Sequence, residues 1–226
     1  MGSSLVTSLD RIGQVQPHLA WPAVMVLAII AIGALAPGVW LITQHATTIA
    51  HEAAHATLGS SFGYKVGAIT IDRKALGLTA VLGNIGAIGR FWVTFIGYLG
   101  PSAFGILAAE LISIRHSVAV LWISFIVLLG VLTSVRRSFG LITVTVGLIL
   151  LFLIAGFATV TIQVITAYLV AWFLLVSGVR VIRLHGAGAV DAKLLRSTTR
   201  IPAGFWSSVW LVCSVIALVF GAILLV

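Results

Sequence analysis

Acidic residues are scarce in this chain: five Asp and Glu stand among 226 residues, against 13 Lys and Arg. Charged residues of either sign make up only 8% and hydrophobic ones 61%, where a soluble domain carries about 25% charge. A soluble globular fold is excluded. A single cysteine, Cys213, excludes an internal disulfide and leaves the redox compartment undecided. Long polar tracts are also missing, so a separate soluble domain has no room beyond short loops. Residues 1–226 therefore read as one integral-membrane domain with the lipid bilayer as its solvent. No internal repeat or low-complexity tract is evident.

What is present is a series of apolar runs. They predict an all-α polytopic membrane protein with about seven transmembrane helices, near 19–36, 38–59, 91–113, 118–135, 139–156, 159–178 and 205–226. Pro37 follows the first run, and "ALAPGVW" is a poor cleavage site, so 19–36 is expected as a retained span rather than a leader. With the N-terminus cytoplasmic, 12 of the 13 Lys and Arg fall on the inside and only Arg115 outside. The positive-inside rule thus predicts a cytoplasmic N-terminus and an outside C-terminus. The +8 charge is then a topology signal, and no nucleic-acid partner is expected. Trp21, Trp40, Trp92, Trp206 and Trp210 lie near span ends, as interface anchors do.

Two inside segments interrupt the apolar pattern. Residues 62–84 alternate with period two on either side of Asp72-Arg73-Lys74, which predicts a small membrane-associated β-hairpin over 64–82. Residues 180–204 are the most polar stretch and include the small-residue run Gly186-Ala187-Gly188-Ala189, a candidate re-entrant segment.

The chemistry concentrates in "TTIAHEAAHATLG" at 47–59. On a helix His51 and His55 lie one turn apart on one face, able to offer two nitrogens to one metal ion, with Glu52 beside them. Ionisable groups at membrane depth are costly, and here three of them fall within five positions of an apolar helix. Zinc held by three protein ligands keeps a position for water, and the adjacent glutamate can act as general base. The reaction this arrangement predicts is peptide-bond hydrolysis.

A third ligand must come from elsewhere. Glu110, His116, Asp10 and His18 are placed toward the outer face or before the first span, and His45 is about 240° round the helix from His51. Asp191, His185 and Asp72 remain. Asp191 is favoured and His185 comes next, since zinc accepts carboxylate oxygen or imidazole alike; the competing role for Asp191 is the N-cap of a short helix. Gly100-Pro101 interrupts hydrogen bonding within a span, so Gly100, Pro101 and Ser102 are candidates for lining a substrate groove, with close helix packing as the plainer role.

Together, "HEAAH" on an early span, "FGYKVGAITI" just after it and "GYLGPSAFG" at 97–105 resemble the site-2 protease family of intramembrane zinc metalloproteases, in its short bacterial, mainly actinobacterial branch without PDZ domains. The resemblance covers most of 38–210. It implies that His51 and His55 bind zinc, that Glu52 is the general base and that Asp191 completes the site in a plasma-membrane protein. Better-known members carry Leu-Asp-Gly at the aspartate and an asparagine after Gly-Pro; here Asp191 precedes Ala192, and "GPSAFG" has no asparagine.

The expected function is hydrolysis within or beside a transmembrane helix of a membrane-protein substrate, near the cytoplasmic face. The alternative is a polytopic transporter or non-catalytic metal-binding scaffold. A transporter would carry ionisable residues along several spans, and those assigned here hold few outside "HEAAH". No feature of the sequence specifies an oligomeric state.

Overall fold

Pro37 decides how the chain enters the helix bundle. A computed structural model describes residues 5–226, beginning with a short helix α1 (Leu5–Asp10). Helix α2 (Trp21–Gly33) ends four residues before Pro37, which opens α3 (Pro37–Ser61). The pyrrolidine ring disfavours helical backbone in the preceding residue; Ala36 is accordingly extended at φ −57°, ψ 143°, and the axis turns by 99°. Thirteen residues of α2 span about 20 Å, short of a hydrocarbon core of about 30 Å.

The expected count of seven spans is not confirmed. Among the described residues, five helices are long and apolar enough to cross a membrane. They are α4 (Ala87–Ser113), α5 (Ser117–Ser134), α6 (Ser138–Phe157), α7 (Val160–His185) and, after the short α8 (Val190–Thr199), α9 (Ala203–Leu225). The bent pair α2 and α3 passes the same test only jointly, which makes six at most. The apolar run at 19–36 is real, but its last residues turn a corner instead of extending a helix.

The first described residues pack at one end of the bundle. Gln16 donates its backbone N–H to the Arg115 carbonyl at 2.9 Å, and its Oε1 accepts from the Val118 N–H at 3.1 Å. Arg11 reaches Gln163 Oε1 at 3.1 Å, and the Ser8 hydroxyl donates to the Ala155 carbonyl. Residues 8–16 therefore pack on the α4–α5 and α6–α7 turns. Leu225 closes the core cluster of Val24, Ala109 and Ile112 at that same end. Residues 8–16 and Leu225 thus lie at one end of the helix bundle, the end of Arg115.

The predicted hairpin is present at the other end. Strands β1 (Lys65–Ile71) and β2 (Gly77–Leu82) pair antiparallel, from Lys65 opposite Leu82 to Ile71 opposite Gly77. Asp72 closes the turn by accepting from the backbone N–H groups of Lys74 and Leu76 at 2.8 and 2.9 Å, with Ala75 in the left-handed region at φ 58°. Ile69 and Ile71 bury fully against Val131, Val135 and Val144, and the Arg136 N–H donates to the Ile69 carbonyl at 3.1 Å. The hairpin is thereby wedged between α3 and the α5–α6 turn.

Candidate metal centre

Helix α3 delivers two imidazoles to one point. His51 and His55 sit four residues apart, and their Nε2 atoms lie 3.1 Å from each other. His55 donates from Nδ1 to the Val93 carbonyl of α4 at 2.6 Å, which fixes the tautomer and leaves the Nε2 lone pair facing the site. The rings fit against α4 because residue 97 is glycine. A Cβ there would overlap His55 Nε2 and stand 2.8 Å from His51 Cε1.

Helix α8 delivers the carboxylate. After α7 ends at His185, Gly186 takes φ 48° and a single 3-10 turn over Gly186–Gly188 reverses the chain. These residues form a tight connection, not a re-entrant segment of membrane-spanning depth. Asp191 then stands in the first turn of α8 but makes no N-cap hydrogen bond. Its Oδ2 lies 3.1 Å from His51 Nε2 and 3.3 Å from His55 Nε2. Burial opposes ionisation of this carboxyl, and only with the imidazoles of His51 and His55 protonated would their charge hold it well below the usual carboxylate range.

The spacing of these three atoms has chemical content. Ligands at about 2.0–2.1 Å from a tetrahedral zinc are separated by about 3.3 Å along each edge. The observed edges are 3.1, 3.1 and 3.3 Å. Among the described residues, His51, His55 and Asp191 are the group able to hold a metal ion. The donor set of two imidazoles and one carboxylate suits zinc and leaves a fourth position open.

Glu52 is 1% exposed, with Oε1 4.0 Å from His51 Nε2. It borders a cavity of about 600 Å³ whose wall also includes Thr79 of β2, Tyr98 of α4 and all three ligand candidates. The site thus joins one end of the bundle to the hairpin.

The remaining candidates go elsewhere. His185 Nδ1 pairs with the Tyr98 hydroxyl at 3.0 Å and lies outside the ligand triangle. Asp72 is engaged in the hairpin turn. His45 points away as its spacing predicts, with Nδ1 donating to the Ile42 carbonyl at 3.1 Å and the ring against Phe139. Gly100, Pro101 and Ser102 are buried and are not on the cavity wall. Gly100 closes on Ala54 and Ala50 of α3, and Ser102 on Gly178 of α7.

The chain matches the family model described as Peptidase M50B-like over residues 23–221. It belongs to the Peptidase M50B-like family. That match encloses His51, Glu52, His55 and Asp191, and it makes the protein a member of a membrane metalloprotease family. No curated protein and no solved structure matches the chain.

Within this M50B-like fold, several site residues escape a reading of the sequence. Tyr98 sets its ring edge-on to His51 at 4.8 Å and stacks on Trp210 at 4.8 Å. Trp206 and Trp210, expected as interface anchors, are buried here, and Trp210 Nε1 donates to the Phe95 carbonyl at 2.9 Å. Thr79 and Gly77 touch Glu52 from the hairpin. Only "GYLGP" hinted at Tyr98, through its glycines; nothing local marks Thr79.

Proposed function

We propose that this protein is an intramembrane zinc endopeptidase that cleaves membrane-protein substrates within or next to a transmembrane helix, near the cytoplasmic face. The observation that carries this reading is the ligand triangle of His51, His55 and Asp191 with the Glu52 carboxylate beside it, on the wall of one cavity. Zinc bound there would supply the Lewis acidity that makes water a nucleophile near neutral pH. Glu52 takes the water proton and passes it to the departing amine. His55 keeps its lone pair on the site through Val93, and Asp191 balances positive charge beside it.

The cytoplasmic assignment rests on charge. Eleven of the 13 Lys and Arg fall in the hairpin, the α5–α6 turn, the start of α4 and the segment from Arg180 to Arg200, while Arg11 and Arg115 belong to the opposite end. The positive-inside rule then makes the hairpin end cytoplasmic and both termini external. An extended substrate segment fits the cavity beside β2, since a peptide bond inside a helix must unwind before attack.

The test uses purified protein in liposomes with a tagged single-span substrate. Glu52→Gln is expected to retain zinc and lose cleavage by about 10²-fold or more, and His51→Ala to lose both. Cleavage persisting in Glu52→Gln would remove the base assignment.

A further inference from the structure

A general base works only if one carboxylate oxygen is aimed at the water, and a glutamate side chain has three torsions with which to miss. In this protein the two oxygens of Glu52 face different surroundings. Oε1 lies 4.0 Å from His51 Nε2, at the ligand triangle. Oε2 accepts a hydrogen bond from the Thr79 hydroxyl of β2. The same strand closes on Oε1 from the side, because a Cβ at Gly77 would overlap that oxygen and stand 2.8 Å from Thr48 Cγ2. Thr48 in turn donates to the Ala75 carbonyl at 2.8 Å, tying the hairpin turn to α3 one helical turn before Glu52. The base is thus gripped between its own helix and a strand that also walls the cavity.

We infer that Thr79 is a positioning residue for the general base: its hydroxyl anchors Glu52 Oε2 so that Oε1 faces the ligand triangle, and Gly77 leaves the room this requires. The inference rests on the protease reading for what Glu52 does. It adds that β2 orients the base as well as forming the wall beside which substrate lies. A hydroxyl donor suits the task, since it stabilises the ionised carboxylate without placing a second cation beside the metal.

Thr79→Val keeps the β-branched shape and strand preference while deleting the donor, and Thr79→Ser restores the donor. The first readout needs no substrate. The chain holds two glutamates, Glu52 and Glu110, so protein labelled with ¹³C at the glutamate carboxyl carbon has two such carboxylate signals, and subtraction of the Glu52→Gln spectrum isolates Glu52 by infrared spectroscopy. Thr79→Val should shift the Glu52 carboxylate band and Thr79→Ser should return it; an unmoved band in Thr79→Val overturns the inference. The second readout is cleavage in liposomes. Thr79→Val should lower kcat by about 10- to 100-fold with KM and zinc content unchanged, and Thr79→Ser should recover most of it. Equal losses in Val and Ser, or zinc lost in Thr79→Val, would make Thr79 a packing residue and overturn the inference. A wild-type protein that cleaves nothing while its Glu52 band still responds to Thr79→Val would fail the protease reading and leave the hydrogen bond standing.

Discussion

At the scale of single residues, the site depends on how closely α3 can lie against α4. Gly97 has no side chain because two imidazoles occupy that space. Gly97→Ala is expected to weaken zinc binding by about 10- to 100-fold, measured by competition with a chelating dye, while the purified protein keeps its helical circular dichroism. Unchanged affinity would show that the rings are not held by this contact. Such details divide what the sequence reveals from what it hides. The pair His51 and His55 is legible because a helix converts a spacing of four into a shared face, a purely local rule. Asp191 stands 136 positions beyond His55, and choosing it over His185 needs the direction taken by the turn at Gly186. Thr79 and Gly77 become site residues only when the hairpin folds back on Glu52.

At the scale of elements, the hairpin links the site to the rest of the bundle. Its existence is readable from period-two alternation around a polar turn, and its strands fall within the predicted 64–82. Its docking is not readable, because it depends on contacts such as Thr48 with Ala75. Removing that bond by Thr48→Val costs about 1 kcal/mol, so the turn should open about fivefold more often. Tryptic cutting after the exposed Arg73 and Lys74 should accelerate by the same factor. An unchanged rate would mean that Ile69 and Ile71 alone hold the hairpin down. The bend at Pro37 is the converse case. A proline after an apolar run is visible in the sequence, but the 99° turn between α2 and α3 is not, and α2 then packs on α7 in the core cluster that holds Val24, Leu27, Ala167 and Tyr168.

At the scale of the whole molecule, the topology turns on whether α2 and α3 cross the membrane as one span or as two. Residues 8–16 and Leu225 lie at the Arg115 end, and the hairpin, α8 and the candidate metal centre share the opposite end. Single cysteines in a Cys213→Ser background test this with a membrane-impermeant maleimide in sealed vesicles. Val15→Cys and Arg115→Cys should react from one side and Lys74→Cys from the other; Val15→Cys reacting with Lys74→Cys would restore the seven-span count. Yet the function hangs on the metal centre, because the buried base and the cavity gain their meaning from it. The most direct measurement is X-ray absorption at the zinc edge on detergent-purified protein, wild type beside Asp191→Ala and His185→Ala. About one zinc per chain is expected, with two imidazole nitrogens and oxygen ligands at about 2.0 Å and no sulfur near 2.3 Å; this signal should be lost in Asp191→Ala and retained in His185→Ala. No zinc in the wild type, or an unaltered shell in Asp191→Ala, would contradict it.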